Sequence, residues 1–199
     1  MRWTPVILAV CAGAATSARG STELTQQVQN VLSTMDIVPT QIELDTAFND
    51  HASALTGLVN IVNAVGTDPG IRLRAIHALS KYCAAQQCID SDVAHQTLVA
   101  VITANNDPNV STGTSVVMLR AAVEAIGPQR VGTDLPLLAP MLMHTSRDIR
   151  AATAHALRDL CNTEAINPLR TQQQTETSDQ VRQAITEALR ILGQPQPCQ

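Results

Sequence analysis

Apolar residues return at helical spacing in four stretches of the chain. Ile71, Ala75, Ala78, Leu79 and Tyr82 stand at i, i+4, i+7, i+8 and i+11, the stripe of an amphipathic helix. The stripe comes back as Met118, Ala122, Ala125 and Ile126, as Ile149, Thr153, Ala156, Leu157 and Leu160, and as Val181, Ile185, Ala188, Leu189 and Leu192. Asp68 is placed to cap the first of these helices and Pro69 to open it. The last two copies agree beyond the stripe. Thr145, Ser146, Ile149, Arg150, Ala152, Ala156, Leu157, Arg158 and Leu160 recur 32 residues later as Thr177, Ser178, Val181, Arg182, Ala184, Ala188, Leu189, Arg190 and Leu192. Self-similarity at a period of roughly twenty to fifty residues marks a solenoid, in which each unit buries its apolar face by stacking on the next.

Measured between Arg72, Leu119, Arg150 and Arg182, the repeat spacings are 47, 31 and 32 residues, and the Cys83 to Cys88 segment sits in the excess of the first interval. Each second helix has a candidate first helix before it, over 50–65, 91–104, 134–144 and 163–175. Pro136 and Pro168 both precede a repeat arginine by fourteen positions. Pro136 fits the tolerated first turn after Asp134, whereas Pro168 is expected deeper, bending or delaying its helix. At the amino end, Leu24, Val28, Val31 and Leu32 predict a helix within 21–35, and Thr40 with Glu43 predicts a capping box. The expected fold is an all-α solenoid: a helical cap over 21–49, about four hairpins over 50–193, and a loop tail over 194–199, where Pro195 and Pro197 forbid a longer helix.

Composition fits close helix packing. Apolar residues make up 45% of the 199, yet aromatics only 2%, being Trp3, Phe48 and Tyr82. Small aliphatic side chains let helices approach closely. With 13 basic against 17 acidic residues and a formal charge of −4, there is no electrostatic footprint for a phosphate backbone, so no nucleic-acid partner is expected.

The first twenty residues read as an export signal: Met1-Arg2, an apolar run from Trp3 to Ala12, then small residues through Ala18. Both Ala12-Gly13-Ala14 and Thr16-Ser17-Ala18 resemble cleavage sites. The run falls short of the roughly 20 apolar residues a bilayer span needs. Lipoprotein processing at Cys11 is an alternative, although Val10 stands where a lipobox normally has a small residue. Loss of residues 1–20 would leave 11 basic against 17 acidic residues, a balance of −6. In an oxidising compartment the remaining cysteines, Cys83, Cys88, Cys161 and Cys198, are expected to form two disulfides. The nearness of Cys83 to Cys88 assigns that pair, and leaves Cys161 for Cys198.

The segments Asp68-Pro-Gly-Ile-Arg-Leu-Arg-Ala75, Arg147-Asp-Ile-Arg-Ala-Ala-Thr-Ala-His-Ala-Leu157 and Ser178-Asp-Gln-Val-Arg-Gln-Ala-Ile-Thr-Glu-Ala-Leu189 resemble HEAT repeats, especially the short form also found in phycobilisome lyases. The resemblance covers about 50–192 and is weakest in the second unit, where Leu119 replaces the arginine. It implies antiparallel helix pairs whose surfaces bind other proteins, and it transfers no activity. It also implies a structural ladder in which Arg72, Arg150 and Arg182 meet acidic residues of neighbouring repeats.

Candidate chemistry is sparse. His77, Glu124, His155 and Glu187 share one repeat position, but adjacent helix axes lie about 8 to 10 Å apart, too far for four such side chains to reach one ion. No metal, cofactor or catalytic residue is therefore expected. His51, His95 and His144 have no assignable partner, and Ser115 and Ser146 read as helix caps. Thr112-Gly113-Thr114 lacks the pattern of a phosphate loop, and Asn109-Val110-Ser111 matches a glycosylation acceptor. The expected function is a non-catalytic adaptor in the cell envelope, holding another protein along the second helices through Arg120, Glu124, His155, Arg158, Glu187 and Arg190. The alternatives are a lyase- or chaperone-like role towards a ligand or client, and a purely structural envelope component.

Overall fold

The computed structural model describes residues 25–33, 38–64, 66–83, 92–110, 112–195 and 198. The expected leader, Cys11 and Cys88 lie outside the described residues. Ten α-helices and five short 3-10 segments, with no strand, form the described chain. The helices are α1 Gln26–Leu32, α2 Gln41–Ala47, α3 His51–Asn63, α4 Pro69–Leu79, α5 Val93–Asn105, α6 Thr114–Ile126, α7 Leu135–Leu138, α8 Arg147–Leu160, α9 Ile166–Thr175 and α10 Asp179–Leu192.

Helices α3 and α4, α5 and α6, α7 and α8, and α9 and α10 pair as hairpins. The second helices form one continuous row, α4 on α6, α6 on α8 and α8 on α10. One aliphatic core runs through the stack, including Ala75, Leu79, Leu119, Ala122, Ile149, Leu157, Val181 and Ile185, each essentially without exposure. All but Leu119, which stands at the repeat-arginine position, are stripe residues, so the register read from the sequence is the packing register. Helices α1 and α2 pack against α3 and α4 at the amino end. There Thr40 and Glu43 close the expected capping box, and the Tyr82 hydroxyl donates to Asp45 at 2.7 Å. Burial and that carboxylate push the Tyr82 hydroxyl well above its ordinary pKa.

The first helices depart from expectation at the third unit. Residues 134–144 do not form one helix: a 3-10 turn at Gly132–Asp134 leads into the single turn of α7, followed by a 3-10 stretch over Ala139–Met143. Pro140 explains the break, because its ring removes a backbone donor and crowds the carbonyl one turn earlier. Of the two expectations for Pro168, the delay is what is seen: the helix expected from residue 163 becomes α-helical only at Ile166. The helix starts at Ile166 after a 3-10 turn, so the proline falls in the first turn, where no N–H has an intrahelical partner.

Two cap assignments also change. Helix α6 begins at Thr114 with Gly113 as its N-cap, which leaves Ser115 inside the helix. Ser146 occupies the N-cap of α8 but its hydroxyl makes no capping bond. The His144 ring takes that part, its Nδ1 accepting the Ser146 N–H at 2.9 Å. The Cys161–Cys198 disulfide is present, joining the end of α8 to the tail across 37 residues. Cys83 is likewise disulfide-bonded.

Candidate functional site

The second helices present their mid-helix positions as a ridge, because a repeat of about 32 residues places the same turn of α6, α8 and α10 side by side. Arg120 donates to Glu124 at 2.7 Å within α6, an i to i+4 pair on an exposed face. That bond holds the Arg120 guanidinium above its ordinary pKa. On α8, Arg158 donates to Asp159 at 2.7 Å and across the helix gap to Glu187 of α10 at 2.9 Å. Its Nη1 also lies 3.3 Å from Nδ1 of His155. Arg158 is held above its ordinary pKa chiefly by Asp159, with Glu187 adding to the effect. Arg190 is exposed in the last turn of α10.

His77, Glu124, His155 and Glu187 lie on α4, α6, α8 and α10 at the shared register. They couple only as neighbours: burial pushes the His77 imidazole below its ordinary pKa while the charge of Glu124 opposes that shift, and Arg158 links His155 with Glu187. Among the described residues no three His, Cys, Asp or Glu side chains gather in a metal-binding group.

The three repeat arginines do not form a ladder. Arg72 donates through Nε and Nη2 to the Val62 carbonyl, at 3.1 and 2.9 Å, which closes the last turn of α3 within its own hairpin. Arg182 pairs with Asp179 on its own helix. Among the described residues Arg150 alone of the three reaches an acid of the next unit, meeting Glu176 through two bonds of 2.7 and 2.8 Å. It also donates to the His144 and Thr145 carbonyls. The last carbonyls of a helix have no donor within it, and Arg72 serves one of these.

Glu176 was not singled out from sequence, although a signal for it exists. It stands six residues before Arg182, as His144 does before Arg150. Its Oε1 accepts the Ser178 N–H at 2.9 Å, matching the bond from Ser146 to His144. The turn between first and second helix is thus fastened by the same kind of contact in the last two units. The units of Arg72 and Leu119 carry Gly66 and Gly113 at that place, where no side chain can do so.

His95 has partners that its sequence position did not reveal. Its ring is buried on α5, with Nδ1 2.8 Å from Gln129 Oε1 and Nε2 3.3 Å from Asp134 Oδ1. Its neighbours Ala94, Leu98, Val101 and Ile102 are core residues, so the stripe itself marks His95 as an inward position. His144 is also buried, and burial pushes its imidazole below the ordinary pKa. His51 lies at the cap, 3.4 Å from Asp45 and with its ring 5.0 Å from that of Tyr82.

Among the described residues no helix is long and apolar enough to cross a membrane. The family model for HEAT repeats matches residues 110–190, which span α6 through most of α10. No curated protein and no solved structure matches the chain. The matched stretch includes the second unit's α6 despite Leu119, a residue with no exposure that serves the core in place of an arginine. HEAT repeats generally mediate contacts between proteins. With antiparallel helix pairs stacked in a common register and the repeat family matched across three successive second helices, residues 110–190 are built of HEAT repeats.

Proposed function

We propose that the protein is a non-catalytic adaptor, exported to the cell envelope, that holds a partner protein along the ridge of α6, α8 and α10. The observation that carries this reading is the run of charge across three successive helices: Arg120 with Glu124, then His155 with Arg158, then Glu187 with Arg190. Arg158 joins two repeats through Glu187 at 2.9 Å, which fixes the spacing of charges that a partner would meet. Half-exposed ion pairs contribute little to stability. Charges set in a fixed pattern, however, steer and orient an incoming protein. The sequence signal at residues 1–20 and the even cysteine set favour the envelope as compartment.

The test is crosslinking in intact cells, followed by recovery of the attached protein with native chain and with a chain carrying Glu124→Arg and Arg158→Glu. A ridge-bound partner should fall by about tenfold or more on charge reversal, while circular dichroism stays unchanged. Equal recovery of every partner from both chains would overturn the assignment of this face.

A further inference from the structure

Among the described residues four that are not glycine hold a left-handed backbone: Asn49, Arg130, Cys161 and Cys198. Asparagine tolerates that conformation, whereas arginine and cysteine adopt it at a cost in strain. The last three line one pocket of about 410 Å³. It lies at the carboxyl ends of the second helices, with Pro128 just after α6, Arg158 in the last turn of α8 and Ile191 in that of α10. Strained backbone gathers at sites and switches.

The same pocket is lined by both ends of the Cys161–Cys198 bridge. These two residues are half-buried, whereas Cys83, the other disulfide-bonded cysteine described, is 4% exposed. Little besides the bridge holds the tail. The N–H groups of Gly193 and Gln194 bond back to Leu189 and Ile191 of α10, and Gln194 and Pro195 are exposed. The Cys198 backbone is fastened by one bond, from Arg130 Nη1 to its carbonyl at 3.3 Å. Helices α8 and α10, in contrast, pack on each other through buried Leu157, Leu160, Ile185 and Leu192, which do not need the bridge to stay in contact.

We propose that Cys161–Cys198 is a site of thiol–disulfide exchange, at which a dithiol reductant cuts the bond in the folded protein and frees the tail from the ends of the second helices. One thiolate of the reductant attacks Cys161 Sγ, the S–S bond breaks, and its electron pair leaves with Cys198 as a thiolate. Cys161 stays fixed at the end of α8, so Cys198 is the partner able to move away. The reductant's second thiolate then attacks the mixed disulfide, Cys161 leaves as a thiolate, and the reductant departs with a disulfide of its own. Two electrons pass to the protein, and the two thiol protons of the reductant end on Cys161 and Cys198. Once cut, Cys198 can leave its left-handed conformation, and that relief favours the open state, as it does for strained bridges in general. The inference goes beyond the ridge and does not depend on what the ridge holds.

The experiment uses the full oxidised chain, with dithiothreitol as the dithiol and iodoacetamide to trap each thiol as it forms, followed by mass spectrometry of the digested protein. Cys161 and Cys198 should be labelled together and about tenfold or more faster than Cys83, while circular dichroism keeps its helical signal. In the chain labelled with nitrogen-15, reduction should sharpen the amide signals of Gly193, Gln194 and Cys198 and leave those of α8 and α10 dispersed. Labelling no faster than that of Cys83, labelling that waits for loss of helix, or tail signals that do not change would overturn the proposal and show the bridge to be a structural tie only. None of these outcomes bears on the ridge, whose own test is recovery of a partner after charge reversal.

Discussion

Glu176 shows how one side chain can tie two repeats. Its carboxylate is nearly inaccessible and accepts from Arg150, Gln172 and the Ser178 backbone. These bonds, Arg150 foremost, hold its pKa down to about 2 from an ordinary 4.5. A carboxyl whose pKa is lower in the folded chain stabilises fully above its unfolded value, and that stability disappears as pH falls towards the folded value. Glu176→Gln should therefore lower stability at pH 7 by roughly 3 kcal/mol. The gap between variant and native protein should close as pH is lowered from about 5 to about 2, which urea unfolding at several pH values will show. A constant gap across that range would remove the charge from the explanation. Sequence made the arginine visible, since it repeats. Its partner left only a positional signal, six residues before the repeat arginine, because the equivalent position holds glycine twice, then histidine, then glutamate, and residue type does not repeat there.

Elements were legible wherever burial on one face imposed helical periodicity. The four second helices, the capping box at Thr40 and the pairing of Cys161 with Cys198 all follow from spacing, because each expresses a local or register-bound constraint. The break over 134–144 was less legible: Leu135, Leu138 and Leu142 keep an apolar stripe, while Pro136 and Pro140 decide the backbone. The contacts of His95 were not legible at all, since it meets Gln129 and Asp134 only once α5, α6 and α7 are packed. Close approach between elements is equally invisible in periodicity. Gly127, just after α6, lies so near α8 that an added Cβ would stand 2.7 Å from the Cα and carbonyl oxygen of Ala156. Backbone cannot retreat as a flexible side chain can. Gly127→Ala should push α6 from α8 and cost about 1 to 3 kcal/mol, read as a fall of several degrees in Tm. An unchanged Tm would mean that the two helices slide apart freely.

Across the whole molecule the units are unequal. The last two have side-chain-fastened turns and the Arg150–Glu176 link, and the Cys161–Cys198 bond closes around α9 and α10. Closing a loop of 37 residues removes freedom from the unfolded chain worth about 3 to 4 kcal/mol in the chain-entropy account. Replacing both cysteines by serine should lower the urea midpoint accordingly, with the slope altered as the unfolded chain expands. An unmoved midpoint would show the bridge to be idle. In a linear array, where each unit leans only on its neighbours, such a bond also decides where tension travels. Were the chain held by its two ends and stretched, load arriving at Cys161 would cross directly to Cys198 and leave α9 and α10 slack. The hairpins nearer the amino end would give way under the pull, and the final one would remain folded, a stiff terminus shielded by its own shortcut.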